Sequence, residues 1–121
     1  MFELDIPGFG SVRLFHLVSD FTGTLSVDGK LIDGVREKLN EVAKFLKVHI
    51  LTADTFGRAK AELEGIECEV HILEGEDHDI QKAEFVNMLG PSSVFALGNG
   101  NNDRRMLSTA KIGVAVCLAE G

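Results

Sequence analysis

Residues 12–25 read VRLFHLVSDFTGTL, a continuous apolar run that ends on Asp20 and passes at once into a Thr-Gly-Thr turn. A short run that does not alternate and is bounded by a turn signal predicts a strand buried on both faces, as in a parallel sheet. A carboxylate at the end of such a strand stands where open α/β sheets bind ligands. Asp20 is therefore the first candidate functional residue.

Four further runs of the same kind follow, at residues 48–52, 68–73, 94–97 and 112–117. Upstream, Phe2 to Ile6 alternates and Pro7-Gly8 turns the chain, which predicts a half-exposed edge strand antiparallel to the strand at 12–19. Helical patterns separate the runs. Val35, Leu39, Val42, Ala43 and Leu46 fall on one helix face, with Asp33 as the expected N-cap. A second helix is expected to start at Asp54 or Thr55 and to end near Gly65. A third spans about 79–89 and stops at Gly90-Pro91, and a short fourth follows Asn102. Alternating strands and helices predict one α/β domain over residues 1–121, doubly wound and mostly parallel, with helices on both faces of the sheet.

Composition narrows the function. The 121 residues carry a net charge of −7 and no Lys/Arg cluster, which argues against nucleic acid or anionic lipid as partner. No apolar run reaches the roughly 18 residues of a membrane span. The amino terminus lacks a basic stretch followed by an apolar core, so no signal peptide is expected. Cys68 and Cys117 lie in apolar runs and are expected to be buried free thiols, which suits a reducing, cytoplasmic setting. His16 and His49 fall inside apolar strand runs and are expected in the core or on the sheet face. The stretch containing His71, Glu74, Glu76, Asp77, His78 and Asp79 reads as a solvated acidic loop before a helix N-terminus.

The polar residues at carboxyl strand ends and helix starts form a set. They are Asp20 to Thr24 (DFTGT), Thr52, Lys82, and residues 98–103 (GNGNND). A carboxylate that attacks phosphorus forms an acyl phosphate and divides one hard step into two. A divalent cation and a lysine offset charge on the phosphoryl oxygens. Small residues after the carboxylate let backbone N–H groups approach a phosphate.

This set resembles the haloacid dehalogenase (HAD) superfamily of aspartate-dependent phosphohydrolases. The resemblance runs from Val12 to Val116, with the motifs in the family's order. It is closest to the phosphorylation domain of P-type ATPases, whose DKTGT and GDGxND signatures stand here as DFTGT and GNGNND. The resemblance implies a HAD-like core and a Mg2+-dependent phosphohydrolase or phosphotransferase acting on a phosphorylated small molecule or macromolecule. It implies that Asp20 is the nucleophile and that the Thr22 carbonyl ligates the metal. Thr52 and Lys82 would bind the phosphoryl group with Phe21, Gly23 and Ala53, and Asn99 and Asp103 would complete the metal site. Two residues depart from the pattern. Thr22 replaces the usual general acid, a role worth about 10²–10⁴ in rate. Asn99 replaces a charged ligand. These departures support a second expectation, a phosphate-binding, regulatory or assembly module with impaired catalysis. Only about eight residues separate the Asp20 loop from the first crossover helix, so no cap domain is expected, and closure by a homo-oligomer is.

Overall fold

The computed structural model describes residues 1–53, 57–100 and 102–118. Strand β1 (Phe2–Ile6) turns through Pro7-Gly8 and pairs antiparallel with β2 (Gly10–Leu14), from Phe2 opposite Leu14 to Ile6 opposite Gly10. Phe15 then breaks the apolar run. Its N–H donates to the Ser93 carbonyl at 2.9 Å, and its own carbonyl accepts from the Lys47 N–H at 2.9 Å. Those bonds lead the chain out of the hairpin and into β3 (His16–Asp20). The single strand expected at 12–19 is thus two strands, and β1 is not an edge strand of the main sheet but half of a separate ribbon. No Gly or Pro marks the bend, so the sequence hides it.

After Asp20 comes a small hairpin of β4 (Ser26–Val27) and β5 (Lys30–Leu31), joined by the two-residue turn Asp28-Gly29. Helix α1 (Val35–Val42) begins from Gly34 rather than Asp33. The Val35 N–H already donates to Ile32 O at 3.1 Å, so one of the first free donors is met without the Asp33 carboxylate. Next are β6 (Lys47–Thr52), α2 (Arg58–Glu62) and β7 (Glu69–Ile72). The start expected for α2, at Asp54 or Thr55, lies outside the described residues. The chain continues through α3 (His78–Leu89), β8 (Val94–Gly98), α4 (Arg104–Thr109) and β9 (Ile112–Ala115).

Strands β7-β6-β3-β8-β9 form one sheet in that order, with every pairing parallel. Alternate residues of the central strands enter two cores. Leu17, Val48 and Ile50 pack with Leu39 of α1 and Ala59 of α2, and Val35, Val42, Ala43 and Leu46 join them. Helix α1 ends at Val42, so Ala43 and Leu46 reach this core from the turn after the helix and not from the expected helix face. Val18, Leu51, Val94 and Ala96 pack with Val86 of α3 and Met106 of α4. The result is a three-layer α/β/α, Rossmann-like fold. The edge strands β7 and β9 are less covered than a doubly buried strand, because each has a neighbour on one side alone. Strand β9 stops at Ala115, which leaves Cys117 exposed and corrects the expectation of a buried thiol; Cys68 is half-buried. Among the described residues no helix is long and apolar enough to cross a membrane.

Candidate active site

The sheet order decides where a site can form. From β3 the chain moves outward to β6 and β7, then crosses to the other side of β3 and continues through β8 and β9. Strand order therefore reverses between β3 and β8, and the crevice beyond their carboxyl ends is the ligand position of such sheets. Asp20 ends β3, Thr52 ends the adjacent β6, and Asn99 follows β8.

Lys82 reaches the same point from the second turn of α3. Its side chain is 7% exposed, and its Nζ donates to Asp103 Oδ1 at 2.7 Å and to Asp20 Oδ1 at 3.3 Å. Asp103 is fully buried, and its Oδ2 accepts the Asn99 N–H at 2.9 Å. Gly98 is required by this contact, because a Cβ there would collide with the Asp103 carboxyl group. The turn after Asp20 is built on the Phe21 carbonyl, which accepts from the N–H groups of Thr24, Leu25 and Ser26 at 3.3, 3.0 and 3.2 Å. Gly23 sits in it at φ +75°, and a Cβ there would lie 3.1 Å from Asn99 Nδ2. The left-handed conformation strains any side chain there, and Asn99 would have to shift by a few tenths of an ångström to admit one.

Two carboxylates thus share one ammonium group in a buried setting, and the cluster carries one net negative charge when all three are ionised. Burial pushes the Asp20 carboxyl up to about 6. Lys82 opposes that shift, and the neighbouring Asp103 charge adds to it.

A cavity of about 200 Å³ opens above this cluster. Asp20, Thr22, Thr52, Ala53, Lys82 and Asn99 line it, so six of the residues proposed from sequence meet at one place. Phe21, Gly23 and Asp103 do not line it. The Phe21 side chain is buried in the core under α1 and α2, which leaves its backbone alone to face the turn. Asp103 lies beneath the cavity, with both oxygens engaged from within the protein.

Asn102 of the GNGNND stretch lines the cavity too, and Leu73 and His78 line it although neither was expected there. His78 opens α3 instead of standing in a solvated loop, and its Nε2 is buried with no hydrogen-bond partner among the described residues. A signal for it was present. His78 and Lys82 are four residues apart, so they share a helix face once the helix begins at 78.

The sequence matches no defined protein family. It is similar to an uncharacterized protein of Methanocaldococcus jannaschii, with 38% identity over 39 residues. That match covers 32% of this chain and 89% of the archaeal protein. The relative's description names no activity.

Proposed function

We propose that the chain is a Mg2+-dependent phosphohydrolase or phosphotransferase of HAD-like type that acts through a phosphorylated Asp20. The observation that supports this most is the Lys82 ammonium held against Asp20 and Asp103 at the strand-order reversal. A cavity of about 200 Å³ is smaller than the roughly 300–1,000 Å³ of sites that enclose a drug-sized ligand. It suits a phosphoryl group whose remaining substrate stays outside, and no cap is needed for that.

The donor set fits a hard divalent cation. Asp20, the Thr22 carbonyl and the Asn99 side-chain oxygen offer oxygen alone, and the excess negative charge that helps push Asp20 upward is what a cation relieves. Asp20, Thr22 and Asn99 would hold Mg2+, with Asp103 steadying the Asn99 backbone from below. Bound there, the ion supplies positive charge to the phosphoryl oxygens.

The chain's own residues do the rest. An Asp20 oxygen attacks phosphorus, the bond to the leaving oxygen breaks, and an acyl phosphate forms. Water, or an acceptor hydroxyl, then takes the phosphoryl group and restores the carboxylate. Thr52 and Lys82 bind the phosphoryl oxygens in both steps. Thr22 cannot protonate the leaving oxygen at neutral pH. Substrates with good leaving groups, such as aryl or acyl phosphates, therefore lose least from its presence. The proposed setting is cytoplasmic, the partner is a phosphorylated small molecule or macromolecule rather than nucleic acid or membrane, and a homo-oligomer closes the open site.

The test is turnover of an aryl phosphate with Mg2+, against Asp20→Asn. Equal inertness of both folded proteins refutes the enzyme reading. Thr22 and Asn99 favour a second reading, a phosphate-binding module with impaired catalysis. That reading requires Thr22→Asp with Asn99→Asp to gain turnover, and a fluoroberyllate complex on wild-type Asp20 to form regardless. A monomer in light scattering at micromolar concentration refutes the oligomer.

A further inference from the structure

Histidines sit on three adjacent strands: His16 on β3, His49 on β6 and His71 on β7. The β6–β7 register places His49 opposite Glu69 and Leu51 opposite His71. Because side chains alternate across a strand, His49, Glu69 and His71 share the sheet face that packs on α3. This is the β7 edge of the sheet, two strands away from Asp20.

We propose that His49, Glu69 and His71 form a binding site for one divalent transition-metal ion of the zinc type. His49 Nδ1 lies 3.3 Å from His71 Nε2 and 3.6 Å from Glu69 Oε2, and His71 Nε2 lies 3.5 Å from the same Oε2. Ligand atoms around a tetrahedral ion at bond lengths of about 2.0–2.1 Å stand roughly 3.3–3.4 Å apart. The three atoms thus already occupy nearly the spacing of three tetrahedral corners.

The surroundings hold this triangle in place. His49 is 3% exposed, and its other nitrogen, Nε2, is 3.1 Å from His16 Nδ1. With its proton on Nε2, donated to His16, His49 turns an unprotonated Nδ1 toward Glu69 and His71. This is the outer-shell bond that fixes the tautomer of a metal-binding imidazole. Lys47 holds Glu69 Oε1 at 3.1 Å and leaves Oε2 to face both rings. Phe85 of α3 packs on His49 and His71 with centroids 5.2 and 4.7 Å away. Two imidazole nitrogens and one carboxylate suit zinc or cobalt and not magnesium, which takes oxygen. Glu69 and His71 are partly exposed, so the fourth position is open to water. The bound ion ties the four-residue edge strand β7 to β6.

The experiment is a titration of the full chain with Co2+ at neutral pH, read by visible absorption, followed by displacement with Zn2+. One equivalent with the intense bands of four- or five-coordinate Co2+, lost on adding Zn2+, is expected. Glu69→Gln and His71→Gln change rim residues and leave the core intact. Each should weaken binding by more than the roughly 10- to 100-fold typical of losing an outer-shell partner. Zn2+ should raise the melting temperature of the wild type and of neither variant. Asp20→Asn should keep the Co2+ spectrum. Weak octahedral bands alone, full binding in both rim variants, or loss of the spectrum in Asp20→Asn would each overturn the proposal.

Discussion

Asp20→Asn replaces one of the two carboxylates that share Lys82 with a neutral group of the same shape. In the folded protein burial raises the Asp20 carboxyl from 3.8 to about 6, so the folded state holds that proton more tightly than the unfolded chain. The sign follows from linkage. Below about pH 4 the carboxyl is protonated in both states and its contribution to stability is intact. As pH rises through about 6 the folded state must ionise a buried group, and that contribution is lost. A shift of about two units at roughly 1.4 kcal/mol each sets the loss at about 3 kcal/mol. Asparagine has no proton to lose and leaves Lys82 paired with Asp103 at 2.7 Å. Urea unfolding in a chelator, at intervals from about pH 4 to pH 7, should therefore show Asp20→Asn gaining up to about 3 kcal/mol on the wild type. Saturating Mg2+ should then restore the wild type alone, by about 2.7 kcal/mol at a hundredfold excess over Kd. Parallel pH profiles, or a variant that falls behind the wild type toward pH 7, would refute the charge accounting of the crevice.

Lys82→Met leaves Asp20 and Asp103 buried without their shared cation. Denaturant unfolding at neutral pH should show a loss of about 3–5 kcal/mol. Gly98→Ala drives a methyl into the Asp103 carboxyl group, and the same assay should register about 1–3 kcal/mol together with a fall in aryl phosphate turnover. His78→Ala removes a cavity-lining imidazole whose buried Nε2 has no partner among the described residues. Steady-state kinetics should show KM for an aryl phosphate rising by roughly 3- to 10-fold, the value of one hydrogen bond.

The parts of the fold that were legible are those where local pattern and tertiary environment agree. β6 and β8 are short apolar runs because both faces of each are covered, and the structure places them within a residue of the expected limits. The break at Phe15 was not legible, since it is made by hydrogen bonds to Ser93 and Lys47, residues 78 and 32 positions away, and by no local breaker. Cys117 was misplaced for a related reason. Its apolar neighbours resemble a strand, yet the pairing of β9 with β8 ends at Ala115. In the crevice, Asp20, Thr52, Lys82 and Asn99 could be inferred because each follows a strand or enters a helix. Whether Phe21 and Gly23 line the cavity depends on how the turn is wound. The His49–Glu69–His71 cluster was out of reach, because it exists only in the register of β7 against β6.

Asn99 allows a charge test of the proposed Mg2+ and phosphate site. Asp20, Asp103 and Lys82 together carry one negative charge, so a divalent cation brings the site to one positive charge. An aspartate at position 99 would make the empty site doubly negative and the loaded site neutral. On the proposed reading, the asparagine gives up cation affinity and leaves the Mg2+-loaded site attractive to a phosphate dianion. One unit charge at about 4 Å is worth roughly 1 kcal/mol in water and about 4 kcal/mol at the effective dielectric near a protein surface. Asn99→Asp should accordingly tighten Mg2+ by about 5- to 1,000-fold and weaken inorganic phosphate, measured on the Mg2+-loaded protein, by a factor in the same range. Calorimetric titration of each ligand separates the two effects. If both affinities rise, or both fall, the substitution acts by shape rather than charge, and Asn99 is not beside the bound phosphate.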